Sequence, residues 1–334
     1  MNVSRVNWPP ALLGRIEPRS LLAFGAIYLL WGGTFLAIRL AVLDLPPFLT
    51  AGVRFLLAGA LLYCWARARG QAAPTVRQWG SIALLAACMF VATYGALFWA
   101  EQYLPSGITS VLEATQPIMI IALEVLVLRR QPLRWGMLCA VLLGFCGVAL
   151  LLMKSGSQPL ELLPCVAVLG GAGAWSLGAV LTRSLPLPRS LGLAAGAEMM
   201  LGGLGLLALA QGTGELASTL HLTLRALVSL TYLIIAGSLL AFTAYVWLLA
   251  RMPATRVASH AYVNPLVAVA LGYLVADETL TVRTLVASAL IIASVFLILR
   301  QPAGVAQPRP ENDHPVRRRQ RVAVPAANGA GPRE

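Results

Sequence analysis

Long apolar runs, set apart by short stretches rich in Arg, Pro and Gly, dominate the chain. A helix needs about 20 mostly apolar residues to cross a bilayer. Ten runs reach or approach that length, at roughly 20–43, 47–66, 79–100, 105–127, 134–153, 160–182, 190–211, 226–250, 255–276 and 282–300. The pattern predicts an all-α integral membrane protein with ten transmembrane helices.

The runs repeat. Ala51-Gly52-Val53-Arg54 returns as Ala195-Gly196-Ala197-Glu198, and the same offset of 144 places Trp31 on Trp175 and Arg39 on Arg183. Pro105 and Pro117 fall on Pro253 and Pro265 at an offset of 148. Each unit holds five spans, an odd number, so the second enters the membrane inverted. The expected organisation is an N-terminal segment (1–19), a first five-helix repeat (20–153), a linker (154–159), a second, inverted repeat (160–300) and a basic tail (301–334). Inverted repeats are common in secondary transporters, which alternate access around a site where the halves meet.

Composition agrees. Of 334 residues, 58% are hydrophobic and 11% charged, with a mean hydropathy of +0.78, which excludes an ordinary soluble globule. With a cytoplasmic N-terminus, the cytoplasmic segments hold twenty of the 25 basic residues, and the outer loops hold only Lys154, Arg225 and Arg283. This bias places both termini inside. The net charge of +12 then reports topology and contact with anionic lipid, not nucleic-acid binding. No cleavable signal is evident, since Arg5, Arg15 and Arg19 precede a run long enough to span. The tail, with Arg317-Arg318-Arg319, has little to bury and reads as disordered. Cys64, Cys88, Cys139, Cys146 and Cys165 lie in apolar runs without CxxC spacing and read as small hydrophobes. No metal or cofactor is expected.

A charge near the bilayer centre costs roughly 3 kcal/mol or more, so Glu113, Glu124 and Glu198 are informative. Glu113, Gln116, Pro117, Ile120 and Glu124 share one face of a helix, which should look into a cavity. Pro117 cannot donate to the carbonyl of Glu113, and Pro265 does the same to Ala261 beside Asn264. Paired breaks at matching places point to a binding region. His260, Tyr262 and Asn264 add polar groups there. Trp31, Thr34, Phe35, Tyr94, Phe98, Trp175 and Tyr245 are candidate cavity residues, since aromatic walls suit amphipathic solutes and cations. Arg54 and Glu198 occupy equivalent positions with opposite charge, so a structural pair is expected. Glu113 is the candidate for substrate contact or proton uptake. Gly32, Gly33, Pro117 and Pro265 are candidate hinges.

Other classes have less support. Ser176 and His260 are the best pair for an intramembrane enzyme, without a Gly-x-Ser-x-Gly or His-Glu-x-x-His setting. A phosphate-binding loop for ATP is missing from the sequence. A non-cycling channel or receptor differs from a carrier in lacking counterflow.

The motifs Tyr28-Leu29-Leu30-Trp31-Gly32-Gly33-Thr34-Phe35, Ala51-Gly52-Val53-Arg54-Phe55, Pro105-Ser106-Gly107 leading to Gln116-Pro117, and Ala261-Tyr262-Val263-Asn264-Pro265 leading to Glu278-Thr279-Leu280-Thr281 occur in this order. In them the chain resembles the ten-span EamA-type exporters of the drug/metabolite transporter superfamily, over about residues 20–300. The resemblance implies two inverted five-helix repeats around a central cavity, with the fifth and tenth helices peripheral. It also implies export of small metabolites, such as amino acids, or of drug-like cations; a bacterial inner membrane is the expected location. One departure is Arg130, which aligns with a glutamate of many family members. Its counterpart Glu278 is present.

Overall fold

The computed structural model describes residues 18–123, 127, 135–152, 161–182, 184–249, 257 and 260–300. The expected linker, the basic tail, Glu124, Arg130, Arg183 and the side chain of Tyr262 lie outside the described residues. The helices are α1 Pro18–Val42, α2 Pro47–Ala68 and α3 Val76–Ala100; α4 Ser106–Glu113, α5 Gln116–Ala122 and α6 Trp135–Leu152; α7 Leu162–Thr182, α8 Leu191–Gly212 and α9 Leu224–Tyr245, continuing to Leu249; and α10 His260–Val275 and α11 Val282–Arg300. No strand occurs among the described residues. Among the described residues six helices, α1–α3 and α7–α9, are long and apolar enough to cross a membrane. Large apolar side chains cover the outside; Leu22 and Leu274, for example, are 74% and 73% exposed, as lipid contact requires.

Local chemistry sets several boundaries. Pro47 opens α2 at the position where a missing N–H costs nothing. α3 starts three residues earlier than hydropathy predicts because Thr75 and Gln78 form a capping box, with Thr75 N–H donating to Gln78 Oε1 at 2.9 Å. Ser190 and Thr223 cap α8 and α9 by accepting from Leu193 N and Ala226 N. The fourth expected span is not one helix. It divides at Ala114–Thr115, where Pro117 has no N–H to give and the Thr115 hydroxyl donates to Leu112 O at 2.7 Å.

Hydropathy gave no hint of wide turns such as Ala26–Leu30, Ala87–Ala92 and Leu233–Leu240, where the hydrogen bonding widens to i→i+5. Groups from neighbouring helices bind beside them. Thr93 Oγ1 donates to Gly171 O in α7 at 2.9 Å, and Trp31 Nε1 donates to Gly237 O in α9 at 2.8 Å.

Helices that the repeat makes equivalent pack on each other: α2 on α8, α6 on α11, and α4 on α10. The contact of α3 with α7 is mirrored by that of α9 with α1. At the α2–α8 crossing the backbones touch. A Cβ on Gly59 would lie 2.8 Å from Gly196 O, and one on Gly203 would lie 2.8 Å from Leu56 Cα. Lipid tails are as apolar as Leu, so close packing of small residues, not apolar burial, holds this crossing together.

Candidate functional site

The break in the fourth span positions the first site residues. Glu113 ends α4 and Gln116 opens α5, so Gln116 Nε2 turns back and donates to Glu113 Oε2. Glu113 Oε1 has no protein partner, and the side chain is 8% exposed. The Ser176 hydroxyl lies 2.7 Å from Ala172 O and 3.1 Å from Gln116 O, tying α7 to the break. It is thus engaged with backbone carbonyls, not with a base.

This break opens on a cavity of about 310 Å³ between the halves. Trp31, Thr34, Phe35, Tyr94, Glu113, Gln116, Pro117, Trp175, Tyr245, His260, Asn264 and Pro265 all line it. Its aromatic walls mirror one another. On one side Trp31 packs 5.1 Å from Tyr245 and 5.0 Å, edge-on, from His260. On the other Trp175 packs 6.2 Å, edge-on, from Tyr94. The Asn264 amide nitrogen, turned to satisfy its neighbours, donates to the carbonyls of His260 and Ile27, each at 3.2 Å.

Arg54 departs from expectation. Its guanidinium is not joined to Glu198; Nε donates to Ser238 Oγ at 3.0 Å, and Cζ lies 4.6 Å from the Phe55 ring centroid and 5.4 Å from that of Tyr94. Arg54 is 2% exposed, lines the cavity, and leaves Nη1 without a protein partner. Glu198, half-buried, is not among the lining residues. The equivalence of the two positions suggested a pair, but the α2–α8 crossing is filled by glycines and turns Arg54 inward. The high cost of an arginine inside a span was the available signal for a site residue.

Phe98, Gly32 and Gly33 fall outside the lining. Phe98 is fully buried, with its ring centroid 5.9 Å from Arg54 Cζ. Gly32 and Gly33 pack without room for a Cβ, facing Val267 of α10 and the Tyr232 hydroxyl of α9. Thr93, Leu97 and Ser110 join the lining without having been singled out. A second, open groove of about 320 Å³, lined by Phe48, Val91, Trp99 and Leu209 among others, is almost wholly apolar and suits lipid.

Polar ties join the helix ends and loops at one end of the bundle. In the α3–α4 region Ser106 N and Gly107 N donate to Glu278 Oε1 and Oε2, at 2.6 and 3.1 Å, so a carboxylate from the α10–α11 loop caps α4. Arg39 Nη1 donates to Glu101 O at the end of α3. Asp44, in the α1–α2 loop, forms a two-pronged pair with Arg225 of α9, Nε to Oδ2 at 2.9 Å and Nη2 to Oδ1 at 2.6 Å. That guanidinium holds the Asp44 carboxyl below its ordinary range. Leu49 N donates to Glu215 at 2.8 Å. Ala179 also lines the cavity, beside Tyr245 and His260.

The model of the EamA-like transporter family matches residues 19–153 and again residues 162–300. An Escherichia coli protein called uncharacterized inner membrane transporter YedA is 33% identical over 279 residues, covering 83% of this chain and 89% of that protein. Protein PecM of Dickeya dadantii is 29% identical over 273 residues, covering 80% and 88%. The uncharacterized transporter YvbV of Bacillus subtilis is 24% identical over 282 residues, covering 84% and 92%. One crystal structure is similar in fold, with a TM-score of 0.58 and 22% identity over 84% of this chain and 96% of that one. Two family matches over nearly all the helical chain and a relative 33% identical over most of its length agree: the chain belongs to the EamA-like transporter family of the drug/metabolite transporter superfamily, as a multi-pass membrane transporter rather than an enzyme.

Proposed function

We propose that the protein is a secondary-active exporter of small metabolites, working by alternating access between two inverted five-helix repeats in an inner (plasma) membrane, with both termini cytoplasmic. The observation that carries this reading is the cavity, which bears unpartnered groups of opposite sign, Arg54 Nη1 and Glu113 Oε1. Such a pair suits a solute with a carboxylate and an amine, and the mirrored rings suit an apolar or aromatic side chain. Amino acids, aromatic ones included, and drug-like amphipathic solutes fit this description. Glu113 is the proposed proton carrier. Rocking of the repeats uses Pro117, Pro265, Gly32 and Gly33 as flexible points.

The test is uptake of a solute panel into inverted vesicles, with and without a proton gradient. Gradient-driven accumulation of an amine-bearing carboxylic acid, with acceleration by the same solute inside, supports the reading. Uptake without trans-acceleration indicates a channel and contradicts it.

A further inference from the structure

Between the cavity and the tied end of the bundle lies a second polar cluster that the transport reading does not use. Glu101 follows the last residue of α3 and is 0% exposed, and neither of its carboxylate oxygens has a protein donor. Ser106, at the start of α4, is also 0% exposed with an unpartnered hydroxyl. Gly272 makes room here: a Cβ on it would lie 2.8 Å from Glu278 Cδ and 3.0 Å from Ser106 Oγ. The charges acting on Glu101 are, first, Glu278 from the α10–α11 loop, then Arg39 from α1, Glu113 from α4 and Arg54 from α2. Arg39 spends a donor on the backbone carbonyl of Glu101, not on its carboxylate.

The two carboxyls are therefore in different situations. Glu278 accepts two backbone N–H groups at a helix start and is well solvated as an anion. Glu101 is buried beside that anion with no donor, and an acid in such a place is best buried with its proton on. Ser106 Oγ is the available polar atom next to the Glu278 carboxyl.

We propose that Glu101, with Ser106 and Glu278, forms a proton-binding site that latches the tied end of the transporter. With the proton bound, the end closes over Glu101. When the end opens, Glu101 meets water, releases the proton to that side and is held open as the hydrated anion. The site is separate from Glu113, which serves the solute. The proposal rests on the alternating-access reading.

The test uses full-length protein with its five cysteines replaced and Ser110→Cys added as a reporter on the cavity. Right-side-out vesicles are treated with a membrane-impermeant maleimide between about pH 5 and about pH 9, the range open to a perturbed carboxyl. Ser218→Cys, on the exposed α8–α9 loop, corrects for thiol ionisation and sidedness. Corrected labelling of Ser110→Cys should rise with external pH, by at most about tenfold per unit for one proton. Glu101→Gln should stay low and flat, and Glu101→Asp should keep the rise with a displaced midpoint. If Glu101→Gln does not extract as a monodisperse protein, Glu101→Asp is read instead, by its displaced midpoint. An unchanged pH dependence in the variant read overturns the latch while leaving transport standing. No labelling of the parent at any pH overturns the alternating-access reading too.

Discussion

Across residues 106–122 the helix breaks between Glu113 and Gln116, whereas the matching span, 260–275, runs through Pro265 unbroken. Both prolines withhold the same hydrogen bond, so proline alone does not decide the outcome. The neighbours do. In the first half Thr115 takes up the Leu112 carbonyl and Gln116 turns to Glu113. In the second, Asn264 donates to His260 O inside its own helix and to Ile27 O, and Ala261 stands where the first half has Glu113. The two halves thus share a scaffold and aromatic walls but place their charges differently.

The shared scaffold can be broken most severely at the α2–α8 crossing. Gly59→Leu puts a side chain against the Gly196 carbonyl and the backbone of Met200. Overpacking of this kind costs about 1–3 kcal/mol or more, so a large fall in thermal stability in detergent is expected. Gly25→Leu, with nothing within 4 Å of its Cβ, should leave stability unchanged. The difference in charge is tested next. Arg54→Met should lower transport about 10- to 100-fold, the equivalent of roughly 1.5–3 kcal/mol for a charged hydrogen bond. Arg54→Lys should not restore it, because an ammonium lacks the planar fork that stacks on Phe55 and Tyr94, and Glu198→Gln should change transport little. Equal losses at Arg54 and Glu198 in vesicle uptake would contradict the inward placement of Arg54.

A smaller effect is expected at the prolines. Pro117→Ala restores a donor to the Glu113 carbonyl and should slow transport several-fold, with Pro265→Ala milder. Smallest is the Asp44–Arg225 pair, which is exposed to solvent. Because Asp44 titrates below its ordinary value of 3.8, its contribution is present above that value and fades as pH falls through the folded value. The thermal stabilities of the parent and Arg225→Ala should therefore differ slightly at neutral pH and converge below about pH 4.

Much of this was legible in the sequence, for physical reasons. Lipid demands long apolar runs, which marks α1–α3 and α7–α9. Burying Glu113 is expensive, which marks the cavity. Proline has no N–H, which marks the break at Pro117. The partner of Arg54 was not legible, since an equivalent position does not show which way a side chain turns. The i→i+5 turns leave no mark on hydropathy. Glu101, at the end of an apolar run, shares a helical face with Tyr94 and Phe98 at steps of seven and three, but spacing alone does not show that the fold buries it without a donor. Glu278 lies 172 residues from the Ser106 amide it caps, a separation that local spacing cannot bridge.

Glu113 is the charge that one half has and the other lacks, and it tests the account most directly. Solute counterflow should be measured across pH in proteoliposomes for the parent and for Glu113→Gln, which keeps the shape and the hydrogen bonding to Gln116 but not the proton chemistry. The parent should be pH-dependent, and the variant should be slow, keeping only the pH dependence that Glu101→Gln removes in turn. An unchanged rate with an unchanged pH profile would contradict the account.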